Sequence, residues 1–169
     1  DEMGKLTAMT EKGELPLRVT HNDTKLNNVM FDKDTNICVC VIDLDTVMPG
    51  LALYDFGDSI RFGASTAAED ETDLDKVEMD LDYFKAYAEG FLGEAGEYFN
   101  QAEIDNLAFA SKLMTLECGM RFLTDYINGD VYFRTEYPEH NLDRARNQFK
   151  LVADMDSKMD KMEEIIKNI

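Results

Sequence analysis

Residues 20–45 read THNDTKLNNVMFDKDTNICVCVIDLD. Two β-rich runs, VMF at 29–31 and ICVCVID at 37–43, flank DKDTN, a cluster of turn-forming residues, so the segment predicts a β-hairpin. With the turn centred near residue 35, antiparallel pairing brings Asp43 or its immediate neighbour opposite Asn28. The polar run His21–Asn28 and the acidic run from Asp43 therefore meet at one end of the hairpin. Upstream, LPLRVT at 15–20 alternates loosely and predicts a short strand. Past Pro49-Gly50 the strand signals stop and nearly everything downstream reads as helix.

One helix is predicted from about Leu74 to Leu92, because Leu74, Val77, Leu81, Phe84, Ala88 and Phe91 recur at steps of three and four. A second starts at Asn100, where Asn100 and Glu103 form a capping-box pattern, and runs to Ile127 before Asn128-Gly129. Its apolar residues lie all round, among them Leu107, Leu113, Met120 and Phe122, which predicts a central, buried helix. A third runs from about Leu142 to the end with Phe149, Val152, Met159, Met162 and Ile166 inward. The acidic segment STAAEDETD at 65–73 reads as an exposed loop or the approach to a helix. The expected class is α+β, mainly α: a few short strands at one edge of a helical body, forming one domain over 1–169 with no repeat and no linker.

The 169 residues carry 17 basic and 35 acidic side chains, a net charge of −18. Such a field repels nucleic acid and anionic membrane alike, and suits solubility or a polycationic ligand. Three cysteines, no signal-like start and no apolar run near twenty residues predict a soluble protein of the reducing cytoplasm. Cys38 and Cys40 would share one strand face, and no second Cys/His pair completes a zinc set. The first residue is Asp1 and the opening shows no clear element, which predicts a chain that begins part-way into a longer protein.

His21, Asp23 and Asn28 fit H-x-D-x-x-x-x-N, a catalytic-loop pattern of phosphoryl-transfer enzymes in which the Asp is the base and the Asn a magnesium ligand. A carboxylate from Asp43 converging on Asn28 makes a hard-oxygen site suited to magnesium carrying nucleotide phosphates. Asp55-Phe56-Gly57 spells the familiar metal-binding triplet, but it lies beyond Pro49-Gly50 with no geometric reason to approach Asn28. Asp43 is therefore the expected ligand.

HND through Asn28, then Ile42-Asp43-Leu44-Asp45 and Tyr54-Asp55-Phe56-Gly57-Asp58, resembles the aminoglycoside phosphotransferase and choline kinase family. THNDTKLNNVMFD, VIDLDTVMPGLALYDFGDSIRFGA and TAAEDE are most similar to the bacterial N-acetylhexosamine 1-kinases. The resemblance implies a protein kinase-like C-terminal lobe whose small hairpin bears the catalytic and metal residues. It implies Asp23 as base, Asn28 and Asp43 as Mg2+ ligands, ATP as co-substrate, and structural support from Asp55, Asp45 and His21. Arg121 and Tyr132 fall where that subfamily contacts the acetamido sugar. The implied reaction yields a sugar 1-phosphate. The N-terminal nucleotide lobe, with its glycine-rich strands and strand lysine, is expected upstream of Asp1, so that these residues alone would be inactive.

Residue by residue, plainer readings compete. Arg121 could simply pair with Glu117 one turn back, and Tyr132 could be an ordinary packed ring. Lys25 could neutralise the transferring phosphoryl group. His140 has no partner evident in the sequence. VIDLDTV also matches the DxD signature of haloacid-dehalogenase-type phosphatases, but that fold needs a parallel sheet this chain does not encode. A glycosyltransferase DxD lacks its nucleotide-sugar domain, and a non-catalytic acidic helical module leaves Asp23, Asn28 and Asp43 without a reason to coincide. Within the kinase reading the alternative substrate is an aminoglycoside, steered by EDETDLD at 69–75.

Overall fold

The structure is a computed structural model that describes residues 2–169; Asp1 lies outside them. Where the sequence shows no clear element, a short helix α1 (Lys5–Glu11) follows a single 3-10 turn and buries Leu6. Four short strands follow. They are β1 (Arg18–Thr20), β2 (Val29–Phe31), β3 (Cys38–Val41) and β4 (Met48–Gly50).

Strands β2 and β3 form the expected hairpin, in the register Val29↔Val41, Met30↔Cys40 and Phe31↔Cys38 with an irregularity after Met30. Ile42 N–H donates to the Asn28 carbonyl at 2.9 Å, extending the pairing by one step. The strand expected over 15–20 shrinks to β1, and its partner β4 carried no strand signal in the sequence. They pair antiparallel as Arg18↔Gly50, Val19↔Pro49 and Thr20↔Met48. Pro49 is tolerated because this is a two-stranded edge, where its missing N–H costs no ladder bond. Gly50 is needed there, since a Cβ would stand 2.4 Å from Thr20 Oγ1.

Helix α2 (Ala52–Gly63) was not distinguished in the sequence, because its apolar face is short. Leu53, Phe56 and Ile60 are nonetheless fully or almost fully buried. It packs on the central helix α5 (Leu107–Ile127), and Gly57 permits the close crossing: a Cβ there would lie 2.5 Å from the Ala110 carbonyl oxygen. Helix α6 (His140–Lys167) covers the other side of α5 through Leu151 and Met155. It starts two residues before its expected position.

The helix expected from Leu74 begins only at Leu81 and runs to Ala95 (α3). Residues 74–76 form a 3-10 turn, and Met79 makes an isolated bridge to Ser65. The reason is tertiary. Met79 N–H donates to Asp154 Oδ2 at 2.6 Å and its carbonyl accepts from Lys158 Nζ at 2.8 Å, so α6 takes the backbone groups a longer helix would have paired. Asp80 then caps α3, accepting from Asp82 N and Tyr83 N.

The helix expected over 100–127 is two. The Asn100–Glu103 capping box is present and starts α4 (Gln101–Asp105), but Asn106, at φ −108° and ψ 5°, breaks the run before α5. Buried Glu103 also accepts two hydrogen bonds from Arg18, at 2.6 and 2.7 Å, tying β1 to the helices. Phe56, Phe84, Tyr87 and Phe91 stack edge-on or tilted at the α2–α3 contact. Among the described residues no helix is long and apolar enough to cross a membrane.

Candidate active site

The polar loop between β1 and β2 is held from below by Asp55, in the first turn of α2. Its two carboxylate oxygens accept from His21 N at 2.7 Å and Asn22 N at 2.8 Å, while Thr24 Oγ1 donates to its carbonyl at 2.6 Å. Asn22 takes a positive φ of 62° within this clamp. From the other side, Thr46 Oγ1 donates to the His21 carbonyl at 2.6 Å and Asn22 Nδ2 to the Thr46 carbonyl at 3.0 Å. His21 Nε2 lies 3.1 Å from the Ile42 carbonyl, which makes Nε2 the protonated nitrogen; buried Nδ1 has no partner among the described residues. The sequence neighbours of the hairpin thus become one braced platform.

Asp23 stands on that platform. Its Oδ2 accepts from Lys25 Nζ at 2.9 Å and from Asn28 Nδ2 at 2.8 Å. Partial burial pushes the carboxyl upward, but the Lys25 and Asn28 donors and the nearby His21 outweigh it and hold Asp23 below its ordinary value. Lys25 is raised in turn, first by its bond to Asp23 and further by the charges of Asp43 and Asp58. Asn28 is buried, and because its amide nitrogen faces Asp23, its side-chain oxygen remains available.

Asp43 follows Ile42 at the mouth of the hairpin in a left-handed conformation, φ 64°. Its exposed carboxylate makes no capping bond. An amide oxygen and a free carboxylate are two hard donors, a fit for magnesium that brings its other ligands as water and phosphate. No group of three or more His, Cys, Asp or Glu side chains gathers among the described residues. Asp45 sits exposed in the next turn and has no hydrogen bond or ion pair among the described residues.

A cleft of about 610 Å3 opens beside Asp23 and Lys25 and reaches Arg121 and Tyr132 at its far side. An adjoining cavity of about 460 Å3 continues past Arg121, Met120 and Tyr132. Arg121 has the ion-pair partner of its plainer reading and also stands in the cleft wall. It lies 3.8 Å from Glu117 Oε1, and its guanidinium packs over the rings of Tyr132 and Phe133 while lining the cleft. Four of the nine candidate residues, Asp23, Lys25, Arg121 and Tyr132, therefore share one cleft; Asn28 and Asp43 are not in its lining, and Asn28 is joined to it through its bond to Asp23.

Sequence reasoning missed several residues here. Asp58, Arg61 and Glu69 form an ion-paired row in the cleft wall, with Arg61 Nε donating to Asp58 Oδ1 at 2.9 Å and Nη1 donating to Glu69. The i,i+3 spacing of Asp58 and Arg61 on α2 was the one available signal. Asp125 was missed as well. From α5 it accepts from Val131 N, Tyr132 N and Phe133 N at 2.9–3.0 Å, and so aims the Tyr132 loop. Burial would raise its carboxyl, but these amides lower it below the ordinary value. His140 has a partner after all: it is buried, with Nε2 3.2 Å from Asp70 Oδ2 and Nδ1 accepting from Glu136 N at 3.1 Å.

The model of the phosphotransferase enzyme family (APH) matches residues 2–92, more than half of the chain, and so spans the loop, the hairpin and α2.

Proposed function

The chain belongs to the phosphotransferase enzyme family, and from that premise we propose that it carries the catalytic loop and acceptor site of a kinase that phosphorylates the anomeric hydroxyl of an N-acetylhexosamine, giving a sugar 1-phosphate. ATP is the proposed donor. Asn28 and Asp43 would hold the magnesium that screens its phosphates. Asp23, ionised and presenting Oδ1 away from Lys25 and Asn28, orients the acceptor hydroxyl and takes its proton. Lys25, tethered beside it, supplies a positive charge where the phosphoryl group would arrive. The apolar side chains Met30, Phe31, Val39 and Val41, all exposed on the hairpin, would meet the nucleotide lobe of the complete protein.

The observation that carries the substrate class is the charge of the cleft. In a protein of net charge −18, the cleft wall presents Lys25, Arg61, Arg121, Arg134 and Arg144 against Asp23, Asp58, Glu69 and Glu117. A polycationic aminoglycoside gains nothing from such a lining, whereas a neutral, hydroxyl-rich sugar does. The acidic run at 69–75, which had favoured a polycation, is largely engaged: Glu69 with Arg61, Asp70 with His140, Glu71 and Asp73 with Lys76.

The test is turnover of N-acetylglucosamine and N-acetylgalactosamine by the complete protein with Mg2+ and ATP, with phosphorus NMR identifying an anomeric phosphate. Arg121→Ala should raise the sugar KM about tenfold, the loss of one polar contact worth ~1–1.5 kcal/mol. Activity confined to aminoglycosides would overturn the proposal.

A further inference from the structure

We infer that Asp58 and Glu69, aligned by Arg61, are the acceptors that grip the hydroxyls of the sugar ring and set which hexosamine enters. The inference rests on the sugar-kinase reading and deepens it.

Each carboxylate gives one oxygen to Arg61, Asp58 through Oδ1 and Glu69 through Oε1. Asp58 Oδ2 and Glu69 Oε2 have no hydrogen bond among the described residues, yet both residues line the cleft that holds Asp23. The guanidinium is a planar fork, so it sets the spacing and orientation of both free oxygens at once. A carboxylate oxygen held this way accepts a hydroxyl hydrogen strongly, and vicinal ring hydroxyls offer two such donors.

The row is placed by elements that cannot easily move. Asp55, Asp58 and Arg61 follow one another at steps of three on α2, so the helix that clamps the catalytic loop through Asp55 also carries the acceptor wall. Glu69 comes from the 65–73 loop, which α6 ties down. Asn147 Nδ2 donates to the Ala68 and Glu71 carbonyls at 3.0 and 3.2 Å, and His140 holds Asp70. Arg61 itself is only 8% exposed. Side chains locked from behind in this way are what a specificity site requires. With one cation between two anions, the row keeps its two outer oxygens as charge-assisted acceptors for hydroxyl donors.

A site that hydrogen-bonds a hydroxyl rejects the analogue lacking it, by up to about 10⁴-fold. The complete enzyme is assayed at saturating ATP with N-acetylglucosamine and its 3-deoxy, 4-deoxy and 6-deoxy analogues. Wild-type enzyme should lose at least ~10²-fold in kcat/KM on one of them. In Asp58→Asn and Glu69→Gln the amide keeps its carbonyl on Arg61 and turns an NH2 toward the cleft. The sugar KM should rise about tenfold or more with kcat within about threefold, and the deoxy penalty should shrink about tenfold. Each variant reports separately, so one that fails to fold leaves the other to decide. Deoxy penalties unchanged in the folded variants, or no penalty in the wild type, overturn this inference while leaving the sugar-kinase reading intact. No wild-type turnover of any N-acetylhexosamine overturns both.

Discussion

Asp23 carries two donors on a single oxygen, and that arrangement decides what the residue can do. The Lys25 ammonium and the Asn28 amide converge on Oδ2, so the carboxylate is held ionised with its other oxygen free. A depressed carboxyl contributes stability that is fully present above its unfolded-state value. That contribution is lost as pH falls through the lower folded-state value. Carbon NMR of the Asp23 side chain should therefore show a midpoint below the ordinary 3.8, moving upward in Lys25→Gln, where the leading charged donor is gone. An unmoved midpoint would show that Lys25 does not govern it. Asp23→Asn should abolish turnover in the complete enzyme while sugar binding stays nearly intact, because the amide keeps the shape but cannot take the proton. Near-normal kcat in that variant would remove Asp23 from the mechanism.

At the scale of elements, the hairpin and α2 divide the aspartates between them. Both Asp55 oxygens are occupied by backbone donors of the loop, whereas Asp43 at the hairpin mouth has an uncommitted carboxylate. Asp43→Asn should weaken magnesium-nucleotide binding in the complete protein with little change in melting temperature. Asp55→Asn should lower the melting temperature, since one of the two loop amides would then face an NH2 group instead of an oxygen. Calorimetric titration with Mg-ATP and thermal melts of both variants separate the two. Equal loss of nucleotide affinity in both would mean that the triplet's aspartate is not merely a clamp. The hairpin register was legible in the sequence because a turn bounded by β-branched runs sets its own pairing. Strand β4 was not legible, because Met48-Pro49-Gly50 has no strand propensity and pairs only where β1 offers an edge.

Across the whole molecule, the helices are one packing unit built around α5, with Phe56 fully buried where α2 meets the aromatic side of α3. Phe56→Ala should cost about 3–5 kcal/mol in denaturant unfolding, the range for removing a buried ring from a core that cannot collapse around it. A loss below about 1 kcal/mol would show that this cluster is not central to the fold. What the sequence determined by itself is whatever depends on near neighbours along the chain: the hairpin, the Asn100–Glu103 cap, the long amphipathic helices, and the spacing of His21, Asp23 and Asn28. The late start of α3 was decided elsewhere, by α6 side chains that capture the backbone of Met79. Partners distant in sequence likewise made the Asp58–Arg61–Glu69 row, the Asp125 hold on the Tyr132 loop and the His140–Asp70 contact. Propensity and periodicity carry local energies of a fraction of a kcal/mol per residue, so a single well-placed tertiary hydrogen bond to a charged group can override them. Only the folded chain shows which carboxylates are spent on structure and which are left to face the cleft.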